Sequence, residues 1–212
     1  SWNLFVVRFA ASLFAAGNVF VLGVFVPTAV VGYYTGAEKI SNAVRMLFNP
    51  IYDALYPRVS HLAQRSRRRA FDFTRATLAV MATLALLGSA VIFFGAPWIV
   101  RILLGPGFEP AVPVLRIFSL LPPVVVVNLS LGTHGLLVQG RQGLYSGVGL
   151  ATGVLTVLLT LGGGALLPDY GHWAAAASYI ASQLIMAVIF ARAMVGIHRR
   201  LGEGEVGAGE AS

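Results

Sequence analysis

The sequence predicts an all-α polytopic membrane bundle of about six spanning helices. Three observations predict it. Of 212 residues, 57% are hydrophobic and only 11% charged, where a soluble domain carries roughly 25% charged residues. With so few charges the surface cannot be coated for water, so the excess apolar area faces lipid. The apolar residues fall into long stretches, each near the ~20 residues a bilayer crossing needs. Finally, the arginines fall mostly on one side of the crossings those stretches define.

The first stretch, 3–26, is broken afterwards by Pro27, Gly32 and Gly36. The second, 37–57, is the least hydrophobic. The third, 76–104, is interrupted by Gly95 and Pro97, and the fourth, 111–138, contains the pair Pro122–Pro123. The fifth and sixth run over 144–167 and 173–196. Together 1–200 reads as one bundle. The tail 201–212 is Gly-rich and acidic with almost nothing large to bury, which predicts disorder on the cytoplasmic side. The chain starts Ser-Trp-Asn and enters an apolar helix at once, the pattern expected of a fragment.

With alternating crossings, Arg58, Arg65, Arg67, Arg68, Arg69, Arg75, Arg141, Arg192, Arg199 and Arg200 share one side. Lys39, Arg101 and Arg116 take the other. The arginine-rich side is expected in the cytoplasm, which puts the C-terminus there and the protein in the cytoplasmic (inner) membrane. The basic loop 58–75 is explained by topology and anionic headgroups, so the net charge of +7 does not call for nucleic acid. With no cysteine, neither a disulfide nor a Cys-ligated metal is available. The run Gly162–Gly163–Gly164 lacks the Lys-Ser/Thr of a phosphate loop, and no hydrolase or metalloprotease motif occurs. No catalytic residue, metal or cofactor is predicted.

The second stretch departs from the others. At 100° per residue, Glu38, Asn42, Arg45, Asn49, Asp53 and Tyr56 fall within roughly 80° of one another, with Tyr52 at the edge. The opposite face is Ile40, Val44, Leu47, Ile51 and Leu55. A charge at mid-bilayer costs ~2.5–3.5 kcal/mol even on the permissive insertion scale. Arg45, mid-helix, therefore calls for a partner or a polar cavity, and so, less strongly, do Asp53 and Arg8. An antiparallel hairpin of the first two helices would set Arg8 level with Asp53 as an ion pair. No acid lies level with Arg45, which leaves its guanidinium for a ligand anion. Pro50 is expected to loosen this helix locally. Arg116, Ser119, Ser130 and His134 roughly share a face in the fourth stretch and are weaker candidates.

The run VGYYTGAEKISNAVRMLFNPIYDALYPRVSHL (31–62) resembles a segment of the bacterial polysaccharide biosynthesis flippases, at Gly32, Tyr33, Tyr34, Ala37, Lys39 and Pro57. ILLGPGFEPAVPVLRI (102–117) and LLPDYGHWAAAASYIASQL (166–184) are similar to two further segments of that family, in the same order, with Trp173 where the family has a small residue. These are the Wzx-type oligosaccharide flippases, related to multidrug exporters. The resemblance implies the C-terminal half of a two-bundle transporter, with an N-terminal half missing. It implies movement of an undecaprenyl-diphosphate-linked oligosaccharide by alternating access, with membrane lipids alongside. By position it implies Arg45, and with it Arg8, as cavity residues. A cation-coupled drug exporter and a non-transporting scaffold of glycan assembly are the rival readings; short outer loops disfavour a glycan polymerase.

Overall fold

The computed structural model describes residues 17, 19–137, 140–166 and 171–209. The described residues are helical, without strands. Residues 17 and 19–26 are the part of the first stretch that is described, and Arg8 lies outside the described residues.

Pro27 opens α1 (Thr28–Met46), with the backbone entering at φ −57°, ψ 148°. The break that ends α1 comes just ahead of Pro50. Proline has no N–H to return to the carbonyl four residues back, and its ring crowds that carbonyl. The chain responds by tightening: the Leu47 and Phe48 amides donate to Val44 and Arg45 carbonyls, three residues back, at 3.2 and 3.1 Å. Then α2 (Asn49–Arg65) begins, with Pro50 in its first turn and Pro57 inside. Ser66, extended at φ −160°, separates α2 from α3 (Arg67–Leu103). That helix is 37 residues long and passes through Pro97 unbroken, so the interruption expected at Gly95 and Pro97 does not occur. Its other backbone hydrogen bonds suffice to carry the helix past one missing donor.

Gly105 and Gly107, at φ +86° and +89°, make the turn after α3, a backbone region that disfavours a Cβ. The fourth stretch is three pieces: α4 (Ala111–Phe118), α5 (Leu121–Leu129) and a π-helical segment, Ser130–Leu137. Pro122 and Pro123 sit in the first turn of α5, where absent N–H groups cost least. After the turn at Gly140, α6 (Gln142–Leu166) and α7 (Gly171–Gly209) follow. The helical backbone of α7 runs on to Gly209, where composition predicts disorder; each added residue extends an existing helix, which is far easier than nucleating one.

Among the described residues, four helical spans are long and apolar enough to cross a membrane: 72–103, 111–137, 142–166 and 171–196. α1 is not among them, because Glu38, Lys39 and Arg45 all lie on it. The α3 surface shows what the apolar excess is for. Val80, Leu84, Leu87, Val91, Phe94, Trp98 and Ile102 recur at steps of four and three and are 46–79% exposed, one continuous apolar stripe suited to hydrocarbon.

Inside, small residues let helices approach. The buried face of α6 is Val148, Thr152, Thr156, Thr160 and Gly164. The Thr152 and Thr156 hydroxyls donate to the carbonyls of Val148 and Thr152, four residues back, at 2.9 and 2.8 Å, so they bring no unsatisfied donor into the seam. A Cβ on Gly163 would lie 2.7 Å from the Ala174 Cβ, and one on Gly164 2.7 Å from the Phe25 ring. The triple glycine is thus a packing device. The largest core joins α1, α3, α4 and α7 around Tyr34, Val100, Phe118 and Ala175. Two hydroxyls lock its polar seams: Ser41 donates to the Phe118 carbonyl at 2.9 Å, and Ser89 to that of Ser119.

Candidate functional site

α1 projects Glu38 and Arg45 toward α5, α6 and α7. Between these four helices lies a cavity of about 280 Å³. Its far wall carries Asn128 on α5, Thr152 and Thr156 on α6, and Tyr179, Ser182 and Gln183 on α7. Tyr145 and Phe190, stacked at 5.7 Å with planes 16° apart, line it too.

Arg45 is held by neutral groups. Its Nη1 donates to the Tyr179 hydroxyl at 3.2 Å and its Nη2 to Asn42 Oδ1 at 2.7 Å. The guanidinium carbon stands 6.0 Å from the Tyr179 ring centroid, within range of a cation–π contact. Nε is buried and has no hydrogen-bond partner. Among the described residues no carboxylate forms an ion pair with Arg45, although Glu38, on the same lining, feels its charge from a distance. Neutral partners orient a cation without cancelling its charge, so the guanidinium keeps its attraction for an anion.

The sequence-predicted residues part company at the kink. Glu38 and Arg45 line the cavity, and Asn42 joins them through its bond to Arg45. Asn49 and Asp53 are exposed and do not line it. They lie beyond the break at Leu47–Phe48, where the turn tightens and a uniform 100° step no longer holds. Tyr52, read at the stripe's edge, is instead 5% exposed, packed with Phe48, Met81, Ala85 and Val126. Its hydroxyl donates to the Val126 carbonyl at 3.1 Å and is 3.0 Å from Ser130 Oγ. Arg8 lies outside the described residues.

The weaker candidates of the fourth stretch scatter. Arg116 is exposed, 5.7 Å from the Phe93 ring centroid, and the Ser119 hydroxyl returns to the Arg116 carbonyl at 2.7 Å. Sequence reasoning passed over Asn128, Gln183 and Tyr179. A signal for the first two was present: each is an amide alone in a long apolar run, which an isolated spanning helix would not carry without reason. Among the described residues, no group of three His, Cys, Asp or Glu is placed to hold a metal ion.

Fold and site together define a multi-pass helical membrane protein with a polar, cation-bearing cavity walled by four helices. Residues 1–63 match the family described as "Polysaccharide biosynthesis protein". Two curated relatives are each named "Putative O-antigen transporter". The one from Escherichia coli (strain K12) is 31% identical over 158 residues, 74% of this chain and 38% of that protein. The one from Shigella dysenteriae is 23% identical over 197 residues, 92% of this chain and 48% of its own length. The chain is thus similar to a polysaccharide biosynthesis family in its first 63 residues and to polysaccharide-export transporters over most of its length. It spans less than half the length of these relatives. No solved structure matches it significantly.

Proposed function

We propose that this chain is one bundle of a transporter for polysaccharide export, and that it moves undecaprenyl-diphosphate-linked oligosaccharide across the cytoplasmic membrane. The relatives' names support transport of a polysaccharide precursor. The lipid-linked form and the roles of Arg45, Glu38 and Asn42 are our reading of the cavity. The observation that carries it is Arg45: a guanidinium in a polar cavity, hydrogen-bonded to neutral partners and ion-paired to none, with Nε unsatisfied.

The physical barrier to flipping is a charged, hydrated headgroup in hydrocarbon. The cavity replaces its water with side-chain hydrogen bonds, and the guanidinium offsets the diphosphate through two parallel N–H donors. The lipid tail stays in the bilayer beside the exposed apolar face. Movement between leaflets then needs the headgroup to be held in both inward- and outward-open states, with no covalent step, and a net direction comes from an external gradient or from consumption of the product. A second bundle, supplied by a preceding half, completes the cavity; Asn49 and Asp53, exposed here, face outward from this bundle and suit contact with it. The arginine-rich side, with the C-terminus, faces the cytoplasm.

The test uses the complete gene product in a strain lacking its own flippase. Arg45→Ala is expected to abolish surface glycan while membrane insertion stays normal. Arg45→Lys is expected to retain part of it, because a lysine keeps the charge but not the fork. Normal surface glycan with Arg45→Ala removes Arg45 from the mechanism. Raised drug tolerance without any glycan phenotype favours the drug-exporter reading instead.

A further inference from the structure

Arg45 answers for an anion, but not for the opposite wall of the cavity. There α5 and α7 meet through a pair of amides. Asn128 follows four valines and is 4% exposed. Its Nδ2 donates to Gln183 Oε1 at 2.8 Å and to the Gln183 backbone carbonyl at 3.1 Å. The backbone carbonyl fixes the sense of the amide, since turning it over would set oxygen against oxygen. With that sense fixed, Oδ1 is buried and has no hydrogen-bond partner. A leucine would fill the same place without leaving an acceptor unsatisfied, so packing does not explain the residue.

Both amides line the same cavity as Arg45. The two orphan atoms are of opposite sense: Arg45 Nε–H is a donor, Asn128 Oδ1 an acceptor. A ligand matching both carries an anionic oxygen in one part and an O–H or N–H donor in another. The half-buried Tyr145 ring on the same lining, backed by Phe190, offers apolar area to the C–H face of a sugar ring.

We propose that Asn128, positioned by Gln183, is a specificity-determining contact for the sugar nearest the diphosphate, its Oδ1 accepting from one sugar hydroxyl or acetamido N–H. This rests on the transport reading above. Oδ1 is covered in the state described here, so the contact forms as the wall gives way around a bound headgroup.

The test uses the complete transporter in proteoliposomes and a series of lipid-diphosphate saccharides, each lacking one hydroxyl or acetamido group of the first sugar. Wild type is expected to move one member about tenfold more slowly than the parent, roughly the effect of one lost hydrogen bond. Asn128→Ala is expected to move that member and the parent at equal rates. The double variant Asn128→Leu/Gln183→Leu replaces both partners with apolar groups of similar size, keeps the helix contact and is expected to behave the same way. The same discrimination in wild type and in both variants overturns the inference. So does a wild type that treats the whole series alike. Arg45→Ala separates the two claims. If it moves every saccharide normally, Arg45 leaves the mechanism while transport stands; a wild type that moves no member of the series overturns the transport reading itself; if Arg45→Ala stops them all while the Asn128 variants keep wild-type discrimination, only the sugar contact fails.

Discussion

Gly132, in the π-helical segment, is the tightest test of the packing around the cavity. A Cβ there would lie 2.8 Å from Cε2 of Phe190 and 2.8 Å from Cε2 of Tyr145. Those rings are the stacked pair on the cavity wall, and Phe190 is 1% exposed, so an added methyl must part the stack or push it into the cavity. Overpacking of this kind costs roughly 1–3 kcal/mol. Alanine also brings a helix-propensity gain of about 1 kcal/mol over glycine, which confuses a single measurement. Gly147→Ala supplies the reference, because Gly147 lies on α6 with nothing within 4 Å of a built Cβ. The propensity gains then largely cancel, and Gly132→Ala is expected to be less stable than Gly147→Ala by roughly 1–3 kcal/mol. In a chain of this size each kcal/mol moves Tm by about 2–4 °C. The assay is thermal unfolding of both purified variants in one detergent. A further substitution, Phe190→Leu, is expected to relieve part of the Gly132→Ala loss, a coupling that distant sites do not show. Equal Tm values for the two glycine variants, or strict additivity with Phe190→Leu, refute the packing described here.

Other outcomes follow from the same geometry. Tyr179→Phe removes the acceptor of Arg45 Nη1 but keeps the ring, so it is expected to lower glycan export about tenfold at unchanged membrane level, as a hydrogen bond to a charged group is worth roughly 1.5–3 kcal/mol. Export is measured as surface glycan per transporter. Tyr52→Phe loses a buried hydroxyl between Val126 and Ser130 and is expected to cost ~1 kcal/mol of stability in the same unfolding assay. In the cysteine-free background, single cysteines at Thr152 and Gln183 are expected to react with a membrane-impermeant thiol reagent in one leaflet-facing state. Those at Leu84 and Phe94, though 46% and 79% exposed, are expected not to react, because their neighbour is lipid.

How much was legible beforehand differs from helix to helix. Spans α3, α6 and α7 announce themselves through long apolar runs, since lipid imposes that composition directly. Glu38 and Arg45 were legible for the converse reason: a charge in such a place has no cheap explanation. The stripe failed at Asn49 and Asp53 because it assumed one straight helix, while the break ahead of Pro50 turned Tyr52 into the core. Pro50 gave the place of the break but not the new register, which is set by Tyr52 packing on Met81 and Val126. The π-helical segment had no periodicity to betray it. Its width goes with tertiary contacts of Gly132 and Gly135 against Phe190 and Met194. Asn128 and Gln183 are 55 residues apart in sequence, and nothing local says that they meet. Tyr179 was unreadable as a site residue because aromatic side chains are common wherever helices pack.

The central claim is that Arg45 meets the diphosphate of a lipid-linked saccharide. The most direct measurement is the translocation rate of a fluorescent lipid-diphosphate saccharide by the complete protein in proteoliposomes. Arg45→Ala is expected to be at least about tenfold slower than wild type, with Arg45→Lys between them. An Arg45→Ala rate equal to wild type, at equal amounts of correctly inserted protein, would contradict the account.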